Sequence, residues 1–216
     1  TFTLGGMTGV LLAVPAIDFQ VHNSLFLVAH FHNMVIGGVV FGYMAGITYW
    51  FPKIFGFKLH EQLGKYAAYC WMIGFLVAFV PLYILGFMGA TRRLDHYEAS
   101  TGWQGLFVVA GLGVAIIGLS IVLQITQFIV SIRQRKQNLD TTGDPWNGRT
   151  LEWSVPSPAP FYNFATLPAI NSRDAFWKTK FYKKSHEKPA YTSFKLPKNS
   201  PFGLMIAGFA FAAGFG

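Results

Sequence analysis

Long apolar runs separated by shorter polar segments are the main pattern in this chain. Three runs, residues 24–51, 66–88 and 101–132, are long enough to cross a membrane, since a crossing helix needs about 20 mostly apolar residues. Two shorter runs, 1–14 and 201–216, are interpreted as the end of one span and the start of another. Only helices and closed barrels satisfy their backbone hydrogen bonds in lipid. The pattern therefore predicts an all-α, polytopic transmembrane helical bundle.

The segments between these runs predict how the chain is organised. Residues 15–23 form a short link, and Pro52 is expected to end the first complete span. Residues 137–200 are polar, basic and rich in proline, without a helical period. We expect three parts: a transmembrane bundle over residues 1–136, the basic segment over 137–200, and the beginning of a further span over 201–216.

Small residues recur along the first complete span. Gly38, Gly42 and Gly46 are four residues apart, a spacing that puts them on one helix face and allows close helix approach. Glycine is also simply more frequent in membrane helices than in soluble ones. Both interpretations are compatible with the sequence.

Composition and charge support a membrane protein and predict its orientation. Hydrophobic residues make up 52% of the chain and charged residues only 12%, against about a quarter charged in soluble domains. All 17 basic residues except Arg92 and Arg93 lie in the loop after the first complete span or in the segment after the third. The positive-inside rule makes those two regions cytoplasmic and places Arg92 and Arg93 on the outer side. The net charge of +8 is then a topology signal and does not indicate a nucleic-acid partner.

The ends of the chain predict that it is part of a longer protein. It begins at Thr1 without an initiator methionine, and it stops at Gly216 inside an apolar run. Any function inferred from it would belong to the larger molecule, and this part alone is not expected to be active.

Two histidines inside the first complete span are the candidate functional centre. His30 and His32 flank Phe31, and an ionisable side chain at that depth is costly and usually functional. Residues two apart on a helix differ by roughly 200° in direction, so the two imidazoles would face opposite sides and serve two different cofactors. Neutral imidazole is a common metal and haem ligand. The plainer alternative is a pair of core histidines bonded to helix carbonyls.

Polar groups on the predicted outer side fit a haem interpretation. Arg92 and Arg93 suit the forked recognition of carboxylates, such as haem propionates, although a solvated loop end is the alternative. Asp18 and His22 precede the histidine helix. If that helix began so early, His22 would lie about 12 Å nearer the outer surface than His30.

These residues stand in a pattern that resembles subunit I of the haem-copper respiratory oxidases. The matching segments run through most of the chain: Thr3–Gly9, His22–Phe41, Trp50–Pro52, Gly86–Gly89, Thr91–Arg93, Asp144–Trp146, Thr150–Trp153 and Pro156–Phe161. The combination of His-Phe-His with the downstream arginine pair is highly specific to that family.

The resemblance implies a role for each candidate residue. His30 would ligate the iron of the high-spin haem at the oxygen-reducing centre, and His32 would ligate the low-spin haem. Phe31 would lie between the haems. The outer groups would belong to the propionate region: Arg92, Arg93, Asp18 and His22.

The resemblance also implies an activity and partners. The whole enzyme would be a proton-pumping terminal oxidase of the bacterial inner membrane that reduces O2 to water. Haems of b and o type are expected, with copper bound by residues outside this chain. Other oxidase subunits (II, III and IV) and membrane lipid would be its partners.

Two features favour ubiquinol as the electron donor. Asn23 stands where cytochrome c oxidases of the family typically have the aspartate of a magnesium site, and a neutral amide is a weaker ligand there. The basic segment followed by another span also resembles the extended C-terminus of the cytochrome bo-type ubiquinol oxidases. A cytochrome c oxidase is the alternative within the family. A transporter, or a di-haem electron carrier without oxygen chemistry, is the alternative from another class.

Overall fold

The computed structural model describes residues 1–164, 167–168, 170, 172–181 and 200–214. These residues form helices, turns and loops, with two isolated β-bridges and no strand among them. The predicted all-α class is confirmed. The helices are α1 (Phe2–Leu12), α2 (Pro15–Val21), α3 (Leu25–Met34), α4 (Phe41–Phe55), α5 (Glu61–Phe87), α6 (Gln104–Arg133), α7 (Ala175–Phe181) and α8 (Phe202–Ala213), with a π-helical turn at Val35–Val40 and 3-10 turns at Ala99–Thr101 and Leu151–Ser154.

Three continuous helices are long and apolar enough to cross a membrane. The first runs through α3, the π-helical turn and α4 as one 31-residue helix, and the other two are α5 and α6. They correspond to the three complete spans that the hydropathy pattern predicts. The pair α1 and α2 bends by 105° and would add a fourth span if it is counted as one broken helix.

The structure differs from the sequence expectation at both ends of the first complete span. Pro52 lies inside α4, which ends one turn later where Gly56 takes a positive φ of 77° and donates its N–H to Pro52 O. The proline ring fixes a helical φ, so the helix continues past Pro52 without the hydrogen bond that a proline nitrogen cannot donate, and glycine accepts the left-handed cap. The expected link at 15–23 contains the helix α2, because Pro15 at its first position is already set to a helical φ.

Close helix packing occurs through glycines between α5 and α6, and on only part of the predicted face. A Cβ on Gly74 would lie 2.9 Å from Ile117 N, and one on Gly113 would collide with the backbone of Ala78, so α5 and α6 approach closely at these positions. A Cβ on Gly42 would meet nothing within 4 Å, and on Gly46 it would meet only Trp50 of the same helix. A Cβ on Gly38 would lie 2.7 Å from Phe2 Cδ2 of α1. The predicted close contact is therefore found at Gly38, whereas no other helix of the described residues covers Gly42 or Gly46.

Loops meet at two separate ends of the bundle. At one end Leu25 N donates to Ala90 O, and Arg92 N donates to Asn23 O at 3.0 Å. At the other end Lys58 N donates to Asn138 O at 2.8 Å, and the segment after α6 pairs with the α4–α5 loop. The segment leading into α3 therefore shares an end with the loop after α5, and the α4–α5 loop shares the opposite end with the residues directly after α6.

The segment after α6 is fixed to the end of α4 by a buried lysine. Lys53 is only 7% exposed, and its ammonium group donates to Gly143 O at 2.7 Å and to Pro156 O at 3.5 Å. Trp146 Nε1 donates to Tyr49 O at 2.8 Å. Part of the predicted basic, Pro-rich segment therefore has a defined fold without long helices.

Asp140 organises the turn beside this lysine. Its Oδ1 accepts hydrogen bonds from Thr142 Oγ1 and from the backbone N–H groups of Thr142 and Gly143. Burial opposes the ionisation of Asp140, but the hydroxyls of Ser157 and Thr142 and these N–H groups stabilise the anion and lower the pKa of the carboxyl group. The turn is thus held by an ionised side chain at neutral pH.

The described residues of 149–155 and 159–214 form a second compact unit. Within it Arg149 pairs with Asp174 at 2.7 Å and lies over the ring of Trp177. The apolar helix α8 corresponds to the predicted start of a further span. Five basic residues counted in the orientation argument lie outside the described residues: Lys183, Lys184, Lys188, Lys195 and Lys198.

Candidate functional site

The helix α3 carries the candidate site and is fixed by one buried stripe. Ser24 caps its start by accepting a hydrogen bond from Phe26 N. Phe26, Ala29 and Asn33, three or four residues apart, are buried, and Phe26 packs edge-on against Tyr83 of α5. Because this stripe faces the bundle, His30 and His32 are left on its two flanks, both partly buried.

His30 faces the first helix. Its Nδ1 lies 3.0 Å from Thr8 Oγ1. A Cβ on Gly9 would lie 3.0 Å from His30 Cε1, so the absence of a side chain at Gly9 makes room for the edge of the imidazole ring.

His32 faces a different helix. Its Nδ1 lies 2.7 Å from Val28 O, and because a carbonyl only accepts, Nδ1 carries the proton. The ring stacks on Phe79 of α5, with ring centroids 4.4 Å apart and planes at 22°. The two imidazoles therefore contact different neighbours, α1 for His30 and α5 for His32.

The free ring nitrogens can each ligate a metal. Within the part of the chain that the structure describes, no hydrogen bond reaches Nε2 of His30 or His32. No group of three His, Cys, Asp or Glu side chains there could hold a metal ion by itself. Single Nε2 ligands on separate flanks fit an axial role at two haem irons, where the macrocycle supplies the other ligands.

Phe31 points away from the buried stripe. It is 51% exposed, and its ring centroid is 5.9 Å from that of His30. An exposed aromatic ring beside both histidines is placed to contact anything that binds to them.

The arginine pair lies at the end of the bundle where α3 begins. Arg92 Nε donates to Asn23 Oδ1 at 3.0 Å, and its two Nη groups make no hydrogen bond within the described residues. Arg93 has a positive φ of 67°, which is uncommon for a residue with a side chain and often marks a functional site. The free donors of Arg92 fit a carboxylate ligand.

Asp18 and His22 lie at the same end but do not form an ion pair. His22 Nδ1 donates to the backbone oxygen Asp18 O at 2.8 Å. The Asp18 carboxylate is partly buried, and the His22 side chain is exposed. Both remain available to a further group at this end.

The partners of the two histidines were not predicted from the sequence. Thr8, Gly9 and Phe79 come from helices that lie far from the histidines along the chain. Thr8 and Gly9 fall inside the matching segment Thr3–Gly9, which was the only sequence signal for them. Phe79 is one of many aromatic residues in an apolar span and gave no signal.

Comparisons with known proteins identify the family of the chain. The family model described as "Cytochrome C and Quinol oxidase polypeptide I" matches residues 1–116. The curated protein "Cytochrome bo(3) ubiquinol oxidase subunit 1" of Buchnera aphidicola subsp. Baizongia pistaciae is 59% identical over 216 residues, covering 100% of this chain and 33% of the relative. "Probable cytochrome c oxidase subunit 1" of Bradyrhizobium diazoefficiens is 50% identical over 219 residues, with the same coverage of both.

A solved structure also matches. It is described as "Cryo-EM structure of a heme-copper terminal oxidase dimer provides insights into its catalytic mechanism", and it superposes with a TM-score of 0.54 and 25% sequence identity. The match covers 60% of this chain and 24% of that chain. The chain thus spans about a third of the length of the curated relatives and a quarter of this structure.

Proposed function

Because the chain belongs to the family of cytochrome c and quinol oxidase polypeptide I, we propose that it is part of the catalytic subunit of a proton-pumping terminal oxidase. The whole enzyme reduces O2 to water with electrons from ubiquinol. One observation supports this most directly: His30 and His32 contact different helices, and each has an engaged Nδ1 and a free Nε2.

The chain's own residues bind and orient two haems in this proposal. His30 holds the high-spin haem iron and His32 the low-spin haem iron, while Phe31 lies between the two. The bound haems, of b and o type, supply the one-electron and oxygen chemistry. At the end where α3 begins, Arg92, Arg93, Asp18 and His22 neutralise or solvate the propionates. Copper is bound by residues outside this chain.

The electron donor is proposed from Asn23 and from the named relatives. The Asn23 amide oxygen is engaged by Arg92, which leaves no carboxylate at that position for a divalent cation. A relative at 59% identity is named a ubiquinol oxidase. A relative at 50% is named a probable cytochrome c oxidase, which keeps that donor as the second candidate.

Location and partners follow from the same proposal. The three long apolar helices support a multi-pass location, proposed to be the bacterial inner membrane, and the positive-inside rule supports basic loops on its cytoplasmic side. Subunits II, III and IV, together with lipid, cover the apolar helix faces that are exposed in this chain.

Separate loss of the two haems tests the proposal in the purified intact complex. His32→Ala should remove the low-spin haem band, and His30→Ala should remove the carbon-monoxide-reactive high-spin haem while the low-spin spectrum largely survives. His96→Ala, in an exposed loop outside the spans, is the matched control and should change neither signal.

The outcomes discriminate between the candidate functions. Loss of the same single signal in both variants would contradict two separate ligands, and unchanged haem bands would favour a transporter. The same preparation is assayed with ubiquinol and with reduced cytochrome c. Turnover with cytochrome c alone would exclude ubiquinol as the donor.

A further inference from the structure

We propose that Thr8 is the positioning residue that fixes His30 as an Nε2 ligand, by accepting a hydrogen bond from its Nδ1–H. This inference rests on the proposed role of His30 at the high-spin haem. Thr8 does not contact the reacting atoms. It acts through the imidazole, and it is the point where three helices meet at this site.

The Thr8 hydroxyl lies among three polar neighbours. Its Oγ1 is 2.9 Å from Gly5 O, 3.0 Å from His30 Nδ1 and 3.1 Å from Tyr83 Oη. Gly5 is on α1, His30 on α3 and Tyr83 on α5. Thr8 is 7% and Tyr83 9% exposed, so these groups satisfy one another rather than bulk water.

The proton count assigns a role to each neighbour. A threonine hydroxyl has one proton to donate and two lone pairs that accept. Gly5 O can only accept, so the Thr8 proton goes to Gly5 O. The two lone pairs of Thr8 Oγ1 then accept from His30 Nδ1–H and from the Tyr83 hydroxyl, and all three contacts are satisfied.

The alternative tautomer loses one of these bonds. If His30 carried its proton on Nε2, Thr8 would have to donate to Nδ1 and could no longer donate to Gly5 O. Losing a hydrogen bond in an apolar span is costly. The network therefore favours the tautomer in which Nε2 presents a lone pair, before any metal binds.

Two effects on a bound haem follow from this arrangement. The hydrogen bond from His30 Nδ1–H to Thr8 Oγ1 makes the imidazole a stronger electron donor at Nε2 and fixes the direction of its ring. A Cβ on the neighbouring Gly9 would lie 3.0 Å from His30 Cε1, so α1 both binds the ring at Nδ1 and leaves room for its adjacent edge.

The test compares threonine variants in the purified intact oxidase. Thr8→Val keeps the side-chain shape and removes the acceptor. It should lower the iron–histidine stretching frequency of the reduced high-spin haem in resonance Raman spectra and weaken haem retention about 10- to 100-fold. Thr8→Ser keeps the hydroxyl and should restore both values. Thr48→Val removes a hydroxyl that donates to Met44 O elsewhere in the same span, and it should leave both unchanged.

Tyr83→Phe keeps the test decisive if Thr8→Val does not assemble. It retains the ring packed on Phe26 and removes one of the two donors to Thr8 Oγ1. The hydrogen bond from His30 should then strengthen and the iron–histidine frequency should rise. An unchanged frequency in Tyr83→Phe would overturn the shared arrangement.

The His30→Ala and Thr8→Val variants together separate an error in the role of Thr8 from an error in the assignment of His30. If His30→Ala keeps the high-spin haem signal, the assignment of His30 itself is wrong. If His30→Ala removes that signal while Thr8→Val retains the wild-type frequency and haem retention, only the role of Thr8 is refuted.

Discussion

Arg92 donates both a backbone and a side-chain hydrogen bond to Asn23. Arg92 N donates to Asn23 O, and Arg92 Nε donates to Asn23 Oδ1, each at 3.0 Å. A neutral amide thus orients the guanidinium without neutralising it. The charge of Arg92 stays available for an anionic partner, which is what a propionate site at this end requires.

Replacing this amide by a carboxylate should change the potential of the haems. Asn23→Asp would form a charge-assisted pair with Arg92 and add a negative charge at this end. Negative charge favours oxidised iron, so both midpoint potentials should fall, on the order of tens of millivolts, in redox titrations of the purified oxidase. Asn138→Asp, at the opposite end of the bundle, is the matched control. Equal shifts in the two variants would contradict a propionate site beside Arg92.

The sequence predicted the histidines themselves but not the contacts that orient them. His30 and His32 were found because polar residues are rare in an apolar span, and their opposed directions follow from helix geometry. Thr8 lies 22 residues from His30 and 75 residues from Tyr83 along the chain. No local pattern brings such residues together, because their contact depends on how α1 and α5 pack against α3.

Helices α5 and α6 pack closely because glycines remove side chains from their interface. Gly74 and Gly113 each lie against the backbone of the other helix, whereas Gly118 has nothing within 4 Å of its added Cβ. Association of helices in lipid depends on such close packing, since lipid is as apolar as the side chains.

A methyl group at this contact should weaken the pair. Gly113→Ala would push against the backbone of Ala78, and overpacking of this kind costs about 1–3 kcal/mol. The temperature at which the purified complex loses its low-spin haem band should fall. Gly118→Ala on the same helix is the control, and it should be neutral or slightly stabilising, because alanine favours the helix over glycine. Equal losses in both variants would mean that this interface is not tightly packed.

At the scale of elements, hydropathy predicted helices well and their interruptions poorly. The three long runs became three long helices because lipid-spanning segments must satisfy their own backbone. Pro52 did not end its helix, because its ring fixes a helical φ, and α4 continues to Phe55 before the left-handed cap at Gly56. The glycine spacing at 38, 42 and 46 predicted a close contact that the structure has at Gly38 but not at Gly42 or Gly46, since the period of small residues does not reveal how far along the face another helix extends.

The whole molecule separates its charged loops between two ends. One end joins the segment before α3 to the loop after α5, through Arg92 and Asn23. The other joins the α4–α5 loop to the segment after α6, through Lys58 and Asn138. This separation is what alternating membrane crossings produce. The charge argument predicts the same grouping for the α4–α5 loop and the start of the segment after α6, and the positive-inside rule predicts its direction.

Labelling of substituted cysteines in intact cells tests that direction. Glu98 and Lys136 are both exposed. Glu98 precedes α6 and Lys136 follows it, so the two residues lie near opposite ends of this membrane-spanning helix. A membrane-impermeant maleimide should label Glu98→Cys from outside, and it should label Lys136→Cys only after the membrane is opened. Cys70 lies within α5, so the unsubstituted chain provides the background. Because Arg92 lies at the same end as Glu98, the inverse labelling pattern would place the propionate groups on the cytoplasmic side and would refute the proposed orientation of both haems.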